Sequence, residues 1–479
     1  MPHNIRLLFL CAGPLLAVVL YLWVPDSVVK PDGSLLELGV AGRVTAGMAG
    51  WMVLWWITET IPLYVTALIP MIILPFTGQE NFELAAESYG HRMIFLALGG
   101  FVLAAALEKW HLHKRFAHFV IGLCGTGPRH IIAGFMIASA LLSMWISNVA
   151  TAIILLPVAI SVINLQDKNN PHYSDFSVCL LLGICYSCSV GGMGTLIGTG
   201  PNMYFAAYME SELQREIGFA SWMKMAVPLV LVMLPLMWLL MTRILFQVPA
   251  SKEQLKLEFD PEEEAIPWDQ GAIFTLVVFA ACALSWTFLP LIRQLGALQQ
   301  LNDTSIALIA TLLLFVVPVR NGERMEALMD WDTVIRKVPW GILILLGGGV
   351  CLAKAIGSYG LGELLALQLS GIAQFPHIVI ILALVAMMVF FTEISSNVAS
   401  VAAFTPIIAS VAVGIGVDPV KLIIPITLAA SCAFMLPVAT PTNAIIFSSG
   451  LIRSSQMARA GLILNLLAIV VITLWVNYF

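Results

Sequence analysis

Residues 131–164, IIAGFMIASALLSMWISNVATAIILLPVAISVIN, and residues 376–412, PHIVIILALVAMMVFFTEISSNVASVAAFTPIIASVA, decide how this chain folds. Each run is apolar and too long for one membrane crossing, which takes roughly 20 helical residues. Each carries the same tripeptide near its middle: Ser147, Asn148 and Val149 in the first, Ser396, Asn397 and Val398 in the second, 249 residues later. Bare Ser and Asn side chains at membrane depth cost free energy unless they face protein or a water-filled cavity. Two half-helices that meet at a polar tip, entering and leaving on one side, meet both constraints. Both runs are therefore expected to be re-entrant hairpins.

The 479-residue chain as a whole is 60% hydrophobic and 11% charged, with mean hydropathy +0.94. That excludes an ordinary soluble globule and predicts an all-α polytopic membrane protein. Apolar runs bounded by charges, Pro and Gly give eleven crossings besides the hairpins, near 5–24, 42–59, 62–77, 92–108, 176–208, 222–247, 270–290, 304–319, 339–356, 419–449 and 457–477. The first reads as a retained span, because no small-x-small cleavage site follows Leu7 to Val24. Nothing resembles a nucleic-acid surface, and the net charge of -5 says little about partners other than the lipid bilayer. Eight scattered cysteines do not suggest a disulfide framework. Cys185-x-x-Cys188 reads as small residues easing helix packing.

Basic residues set the orientation. With the N-terminus inside, fifteen of the 23 Lys and Arg fall on the cytoplasmic side, among them Arg6, Lys109, Lys114, Arg115, Lys168, Lys252, Lys256, Arg336 and Lys337. The positive-inside rule then gives a cytoplasmic N-terminus and an external C-terminus, with the first hairpin opening to the cytoplasm and the second outside. The expected location is a cell inner membrane. The repeat extends beyond the tripeptide: Gly99-Gly100 falls on Gly348-Gly349, Ala104 on Ala353, Leu112 on Leu361, Thr151 on Ser400 and Pro157 on Pro406. After the hairpins the offset drops to 241, setting Gly198-Thr199 on Ala439-Thr440 and Asn202 on Asn443; a polar loop around Gln166 to Asp175, found only in the first copy, absorbs the difference. Two repeats with hairpins on opposite sides are inverted, as in alternating-access carriers. The domains follow: an N-terminal span 1–41, a first inverted repeat 42–247 (scaffold to 130, hairpin 131–164, transport helices 176–247), a linker 248–269, and a second repeat 270–479 (scaffold to 375, hairpin 376–412, transport helices 419–479).

Each repeat follows its hairpin with a broken element, Gly191-Gly192-Met193-Gly194-Thr195 into Gly198-Thr199-Gly200-Pro201-Asn202, and Leu436-Pro437-Val438-Ala439-Thr440-Pro441-Thr442-Asn443. Pro and Gly there interrupt the helix at membrane depth. Half-helix N-termini offer positive dipole ends to an anion, while freed carbonyls and Ser/Asn oxygens can hold sodium. Neither tip nor either break contains Arg, Lys or His. An anion there must be held by neutral donors, so bound sodium ions are expected to balance its charge. Glu393 is the one acidic residue at a tip, with Met144 as its counterpart, and is expected to bond backbone donors. Glu59 is expected at a helix end in polar surroundings. His111, His113 and His118 read as the wet face of an interfacial helix.

These residues resemble the divalent anion/sodium symporter (DASS) family of sodium-dependent di- and tricarboxylate and sulfate carriers. The likeness covers nearly the whole chain and is most specific over Ser431 to Ile446, with further matches at Trp56 to Pro62 and Leu98 to Trp110. It implies eleven spans, two re-entrant hairpins, a homodimer held by scaffold helices and elevator movement of a transport domain. Carried over by position, it implies a first sodium site of Ser143, Ser147, Asn148 and Gly198, and a second of Thr392, Ser395, Asn397 and Ala439. Substrate would touch Ser147, Asn148, Thr199, Ser396, Asn397, Thr440 and Pro441, with Val149 and Val398 at the tips. Dicarboxylate carriers of the family typically read Ser-Asn-Thr at the tips, so both valines depart from the pattern and remove two hydroxyls.

The expected function is sodium-coupled uptake of a di- or tricarboxylate. Sulfate or another small divalent anion, or anion exchange, is the alternative. An intramembrane enzyme would need paired carboxylates or a nucleophile with a base at membrane depth, and neither hairpin supplies them.

Overall fold

The computed structural model describes residues 3–30, 32–164, 172–249, 268–321 and 324–478. Most of the loop 166–175 and of the linker 248–269, with Lys168, Lys252 and Lys256, lies outside the described residues. Within them the chain is built of helices, with two small antiparallel ribbons, Ser27–Val29 on Leu35–Glu37 and Pro318–Asn321 on Arg324–Ala327. Among the described residues eight helices are long and apolar enough to cross a membrane.

Several expected crossings take another form. Those near 62–77, 304–319 and 419–449 fall on the shorter apolar helices Leu63–Phe76, Asp303–Val316 and Pro419–Ala429. Prolines break up the first, and the second ends at Val316, just before Pro318 opens a ribbon strand. The run 176–208 is broken where the sequence places Gly191 to Asn202: Tyr173–Gly192 and Gly200–Ser211 flank a non-helical stretch, 193–199. The run 419–449 divides likewise, into Pro419–Ala429 and Pro441–Phe447 around 430–440.

Both apolar runs that opened the sequence fold as helix–turn–helix hairpins. Pro128–Ser143 and Asn148–Asn164 flank the turn 144–147; His377–Thr392 and Asn397–Gly414 flank the turn 393–396. The second arm of the second hairpin, at 18 residues, is itself of crossing length. The helices preceding the hairpins, Arg92–Lys109 and Trp340–Ser358, keep the same spacing to within a residue.

Packing relies on small residues. A Cβ on Gly191 would stand 2.2 Å from the Ala140 carbonyl oxygen, one on Gly348 2.1 Å from that of Ala67, and one on Gly461 2.2 Å from that of Phe434. Such contacts bring backbones together where lipid offers helices no hydrophobic drive to associate. The N-terminal helix leans on Gly39–Thr58 in this way, Gly47 lying against the Ala17 carbonyl. Trp55 and Trp56 serve packing: both are buried, and their indoles donate to the Phe9 and Leu63 carbonyls at 2.9 and 3.1 Å.

Pro157 and Pro406 sit at matched places inside the second hairpin arms. A proline strips the carbonyl four residues earlier of its helical partner. In the second repeat that carbonyl belongs to Ala402, and the Tyr204 hydroxyl donates to it at 3.3 Å and to the Gly349 carbonyl at 3.2 Å.

Charges gather at the helix ends. Arg92 pairs with Glu210 and, at 3.2 Å, with Glu216. Arg215 donates to both oxygens of Asp418 at 2.8 Å, holding that carboxyl below the usual carboxylate range.

Because the atoms nearest a Gly191 side chain are backbone, a larger residue cannot be accommodated by a rotamer change. Gly191→Val is expected to cost about 1–3 kcal/mol, the usual range for overpacking. Thermal unfolding in detergent checks this; an unchanged midpoint would show that the two helices separate freely.

Candidate functional site

The two hairpin tips share two hydrogen bonds at matched positions. In the first, the Ser143 hydroxyl donates to the Asn148 carboxamide oxygen; in the second, the Thr392 hydroxyl donates to the Asn397 carboxamide oxygen at 2.6 Å. Thr151 donates to the Ser147 carbonyl at 3.2 Å, and its counterpart Ser400 to the Ser396 carbonyl at 2.8 Å. With its carboxamide oxygen turned toward its own hairpin, each Asn is left its NH2 group to offer a ligand.

The breaks repeat the pattern. The Asn202 side-chain NH2 donates to the carbonyls of Gly192 at 3.1 Å, Met193 at 3.2 Å and Thr195 at 2.8 Å. The Asn443 side-chain NH2 donates to those of Ala433 at 3.0 Å and Leu436 at 2.9 Å. Ala433 and Leu436 are the residues that the 241 offset matches to Gly192 and Thr195. Both asparagines are fully buried. They were aligned by the repeat but not foreseen as the braces of the breaks; their common place in the shifted register was the available signal.

The halves also interlock. Gly200–Ser211 of the first repeat packs on Asn397–Gly414 of the second hairpin, and Pro441–Phe447 packs on Asn148–Asn164 of the first. A Cβ on Gly200 would stand 2.3 Å from Val398 Cγ2, so the start of that half-helix rests on the second tip. Cys185 adds a link: its thiol donates to the Asn443 carboxamide oxygen at 3.0 Å, a role beyond the packing expected of it.

Oxygen atoms converge beside each tip. At the first, a Cβ on Gly198 would meet the Gly192 carbonyl oxygen at 2.4 Å and that of Ser143 at 3.0 Å. One on Gly192 would meet the Asn148 carboxamide oxygen at 2.9 Å and the Gly198 carbonyl oxygen at 3.1 Å. Main-chain carbonyls, a hydroxyl and a carboxamide are a hard, neutral donor set of the kind that suits sodium. At the second tip, Ser395 is buried and its hydroxyl has no hydrogen-bond partner; a buried polar atom left unpaired is expensive.

Of the other expected residues, Ser147 is exposed, whereas Asn148, Val149, Thr199, Ser396, Asn397 and Val398 are half-buried and so still open to a ligand. Pro441 is exposed and Ala439 is buried. Thr440 differs from its counterpart Thr199. It is buried, its hydroxyl donates to the Asn443 carboxamide oxygen at 2.9 Å and accepts the Asn443 N–H at 3.0 Å, whereas Thr199 makes no cap bond. Thr440 is thus committed to capping its half-helix.

Glu393 bonds backbone donors, as expected of it. Its carboxylate accepts the N–H groups of Phe434 at 2.7 Å, Met435 at 2.9 Å and Leu436 at 3.1 Å, and the Asn465 side-chain NH2 at 2.7 Å. The first repeat holds its break differently, with the Thr195 hydroxyl donating to the Met144 carbonyl. Glu59 is exposed and takes a left-handed conformation, φ 46°, at its helix end. The wet histidine face needs correcting: His111 is exposed, but His113 turns inward, with Nδ1 3.1 Å from the Leu107 carbonyl oxygen. The left-handed backbone at His111, φ 55°, ends the regular periodicity on which that face was drawn.

A family model, the sodium:sulfate symporter transmembrane region, matches residues 15–479. The chain belongs to this family. Among its relatives, the sodium-dependent dicarboxylate transporter SdcS of Staphylococcus saprophyticus is 38% identical over 486 residues, covering 99% of this chain and 91% of that protein. SdcS of Staphylococcus aureus is 36% identical over 485 residues with the same coverage. Among solved structures, the YdaH transporter of Alcanivorax borkumensis matches with TM-score 0.61 at 13% identity, covering 100% of this chain and 99% of that one. MtrF of Neisseria gonorrhoeae matches with TM-score 0.62 at 12% identity, covering 99% and 94%. At such identities these two likenesses concern the fold. The family and the apolar helices make this a multi-pass membrane transporter rather than an enzyme, with sodium as its coupling ion.

Removing the Glu393 carboxylate strands three backbone donors, each worth about 1–3 kcal/mol when left unpaired in the interior. Glu393→Ala is expected to lower the unfolding midpoint far more than Glu393→Gln, which keeps one acceptor oxygen. Equal midpoints for the two variants in detergent melts would contradict a bracing role.

Proposed function

We propose that this member of the symporter family couples sodium influx to uptake of a di- or tricarboxylate of the succinate, malate, fumarate or citrate class. The observation that carries the reading is the pair of matched tips, each holding its Asn by the carboxamide oxygen and interlocked with the half-helix of the opposite repeat. Two such tips can face the two ends of one dicarboxylate. The names of the SdcS relatives favour this class of cargo. The family's description and the loss of two tip hydroxyls at Val149 and Val398 favour sulfate, or another small divalent anion, as the competing cargo.

In this reading the substrate lies between Ser147, Asn148 and Val149 on one side and Ser396, Asn397 and Val398 on the other, with Thr199 and Pro441 beside it. Thr440, expected to join them, acts by capping. Ser143, Ser147, Asn148 and Gly198 hold one sodium ion; Thr392, Ser395, Asn397 and Ala439 hold the second. No basic side chain stands at the site, so sodium offsets the charge of the carboxylates and makes their entry to membrane depth affordable. That dependence is what couples the two flows, and it distinguishes symport from exchange.

The finer architecture belongs to the same proposal. The hairpins are re-entrant, the repeats are inverted, eleven helices cross, and the N-terminus lies in the cytoplasm of an inner membrane with the C-terminus outside. The transport domain, made of hairpins 131–164 and 376–412 with the helices of 176–247 and 419–479, moves as an elevator against scaffold helices that also hold a homodimer. Movement of that kind would have to break the ion pairs of Arg92, on the scaffold side, with Glu210 and Glu216.

In proteoliposomes, an inward sodium gradient is expected to drive uptake of radiolabelled succinate, malate or citrate, and Asn148→Ala or Asn397→Ala to reduce it at least tenfold, the loss expected when a charged group loses a hydrogen bond of about 1.5–3 kcal/mol. Uptake of none of a panel of carboxylates and sulfate under sodium, lithium or choline gradients would defeat the reading. The double change Val149→Thr with Val398→Thr is expected to alter the ratio of dicarboxylate to sulfate uptake; an unchanged ratio would remove the valines from selectivity.

A further inference from the structure

We infer that a cavity beside the first hairpin is a binding site for one acyl chain of an anionic phospholipid. The cavity has a volume of about 390 Å³ and lies between the hairpin, the helix Gln270–Thr287 and the helix Leu112–Leu123. Leu142, Trp145 and Ile146 form its wall on the hairpin side, Leu276 and Phe279 the wall opposite. The Trp145 and Phe279 rings meet edge to face, 4.9 Å between centroids, at its inner end.

Three observations identify the occupant. The lining is apolar apart from His113 and Arg115, and the His113 ring is turned to the Leu107 carbonyl. A water-soluble ligand needs several converging polar groups to fix it, and this lining does not provide them. The lining residues Phe116, Phe119 and Leu276 are exposed, so the cavity opens onto the apolar outer surface of these helices. At one edge the Arg115 guanidinium lies 4.5 Å from the centre of the Trp268 ring, with Lys114 next in sequence. An exposed Trp beside basic residues marks a membrane–water boundary, and guanidinium is the side chain best suited to a lipid phosphate. Nearby, Lys109 pairs with Asp330 at 3.0 Å and Lys337 with Glu108 at 2.7 Å, charges that place water at the same level.

The position gives the site its interest. Ile146 directly precedes Ser147, so an acyl chain in the cavity would bear on the first tip from behind, against a wall that belongs to another helix. Lipid composition would then act on the hairpin from outside the substrate site. The inference does not depend on which anion is carried.

The protein's own tryptophan is the reporter. Wild type and Trp145→Phe are reconstituted in vesicles containing acyl-brominated phosphatidylglycerol or acyl-brominated phosphatidylcholine at equal mole fraction, and the emission lost in the variant is assigned to Trp145. That component is expected to be quenched by both lipids, with the glycerol lipid about fivefold more effective at low mole fraction, the preference associated with one basic residue at a membrane surface. Arg115→Gln is expected to abolish the preference. Equal quenching by the two lipids in wild type, or no quenching of the Trp145 component by either, would overturn the inference. Should Trp145→Phe not fold, native mass spectrometry of wild type and Leu276→Trp replaces it. Phosphatidylglycerol retained by wild type and lost on filling the cavity supports the site; equal retention overturns it.

Discussion

The constraint on which this structure rests is that a helix broken inside a membrane must find partners for every backbone group the break sets free. Water is not there to supply them. Asn202 and Asn443 meet the constraint for the carbonyls that end one half-helix, each using its side-chain NH2 to gather carbonyls of its own break. Glu393 meets it for the N–H groups of the second break, and Thr195 supplies a smaller brace in the first. Once these groups are satisfied internally, the remaining oxygens and NH2 groups are fixed in direction before any ligand arrives. A site of neutral donors can hold ions only if its geometry is prepared in this way.

Much of this was legible in the sequence because the repeat states it twice. The offsets of 249 and 241 locate the tips, the half-helices and the paired prolines, and the structure places corresponding hydrogen bonds at corresponding positions. What could not be read was packing between segments. Thr199 and Thr440 are equivalent in register, yet only Thr440 turns back to cap its helix, although the asparagines beside the two, Asn202 and Asn443, are equally buried. His113 looked like part of a polar face until the left-handed turn at His111 rotated it inward. Helix lengths differ from expectation where prolines, Pro70 and Pro75 in one run and Pro318 at the end of another, shorten the helix without changing the apolar composition.

The two halves are alike in framework and unlike in chemistry. Where the first tip has Met144 and Ile146, the second has Glu393 and Ser395, a carboxylate and a buried hydroxyl with no protein partner. Glu393 spends its carboxylate on the backbone of the second break and on Asn465, so the difference left at the tip itself is the Ser395 hydroxyl. The duplication supplies the matched frameworks; the substitutions within it supply their differences.

Tyr204 extends those differences to the seam between repeats. Its hydroxyl fastens the carbonyl released by Pro406 to the carbonyl of Gly349, whereas the residue that the 241 offset sets against Tyr204 is Ile445, which has no hydroxyl to do the same for Pro157. One hairpin arm is thus tied by a tyrosine of the other repeat, a tie that Ile445 cannot make for the other arm. A framework that repeats its hydrogen bonds twice is therefore fastened unequally across its own seam.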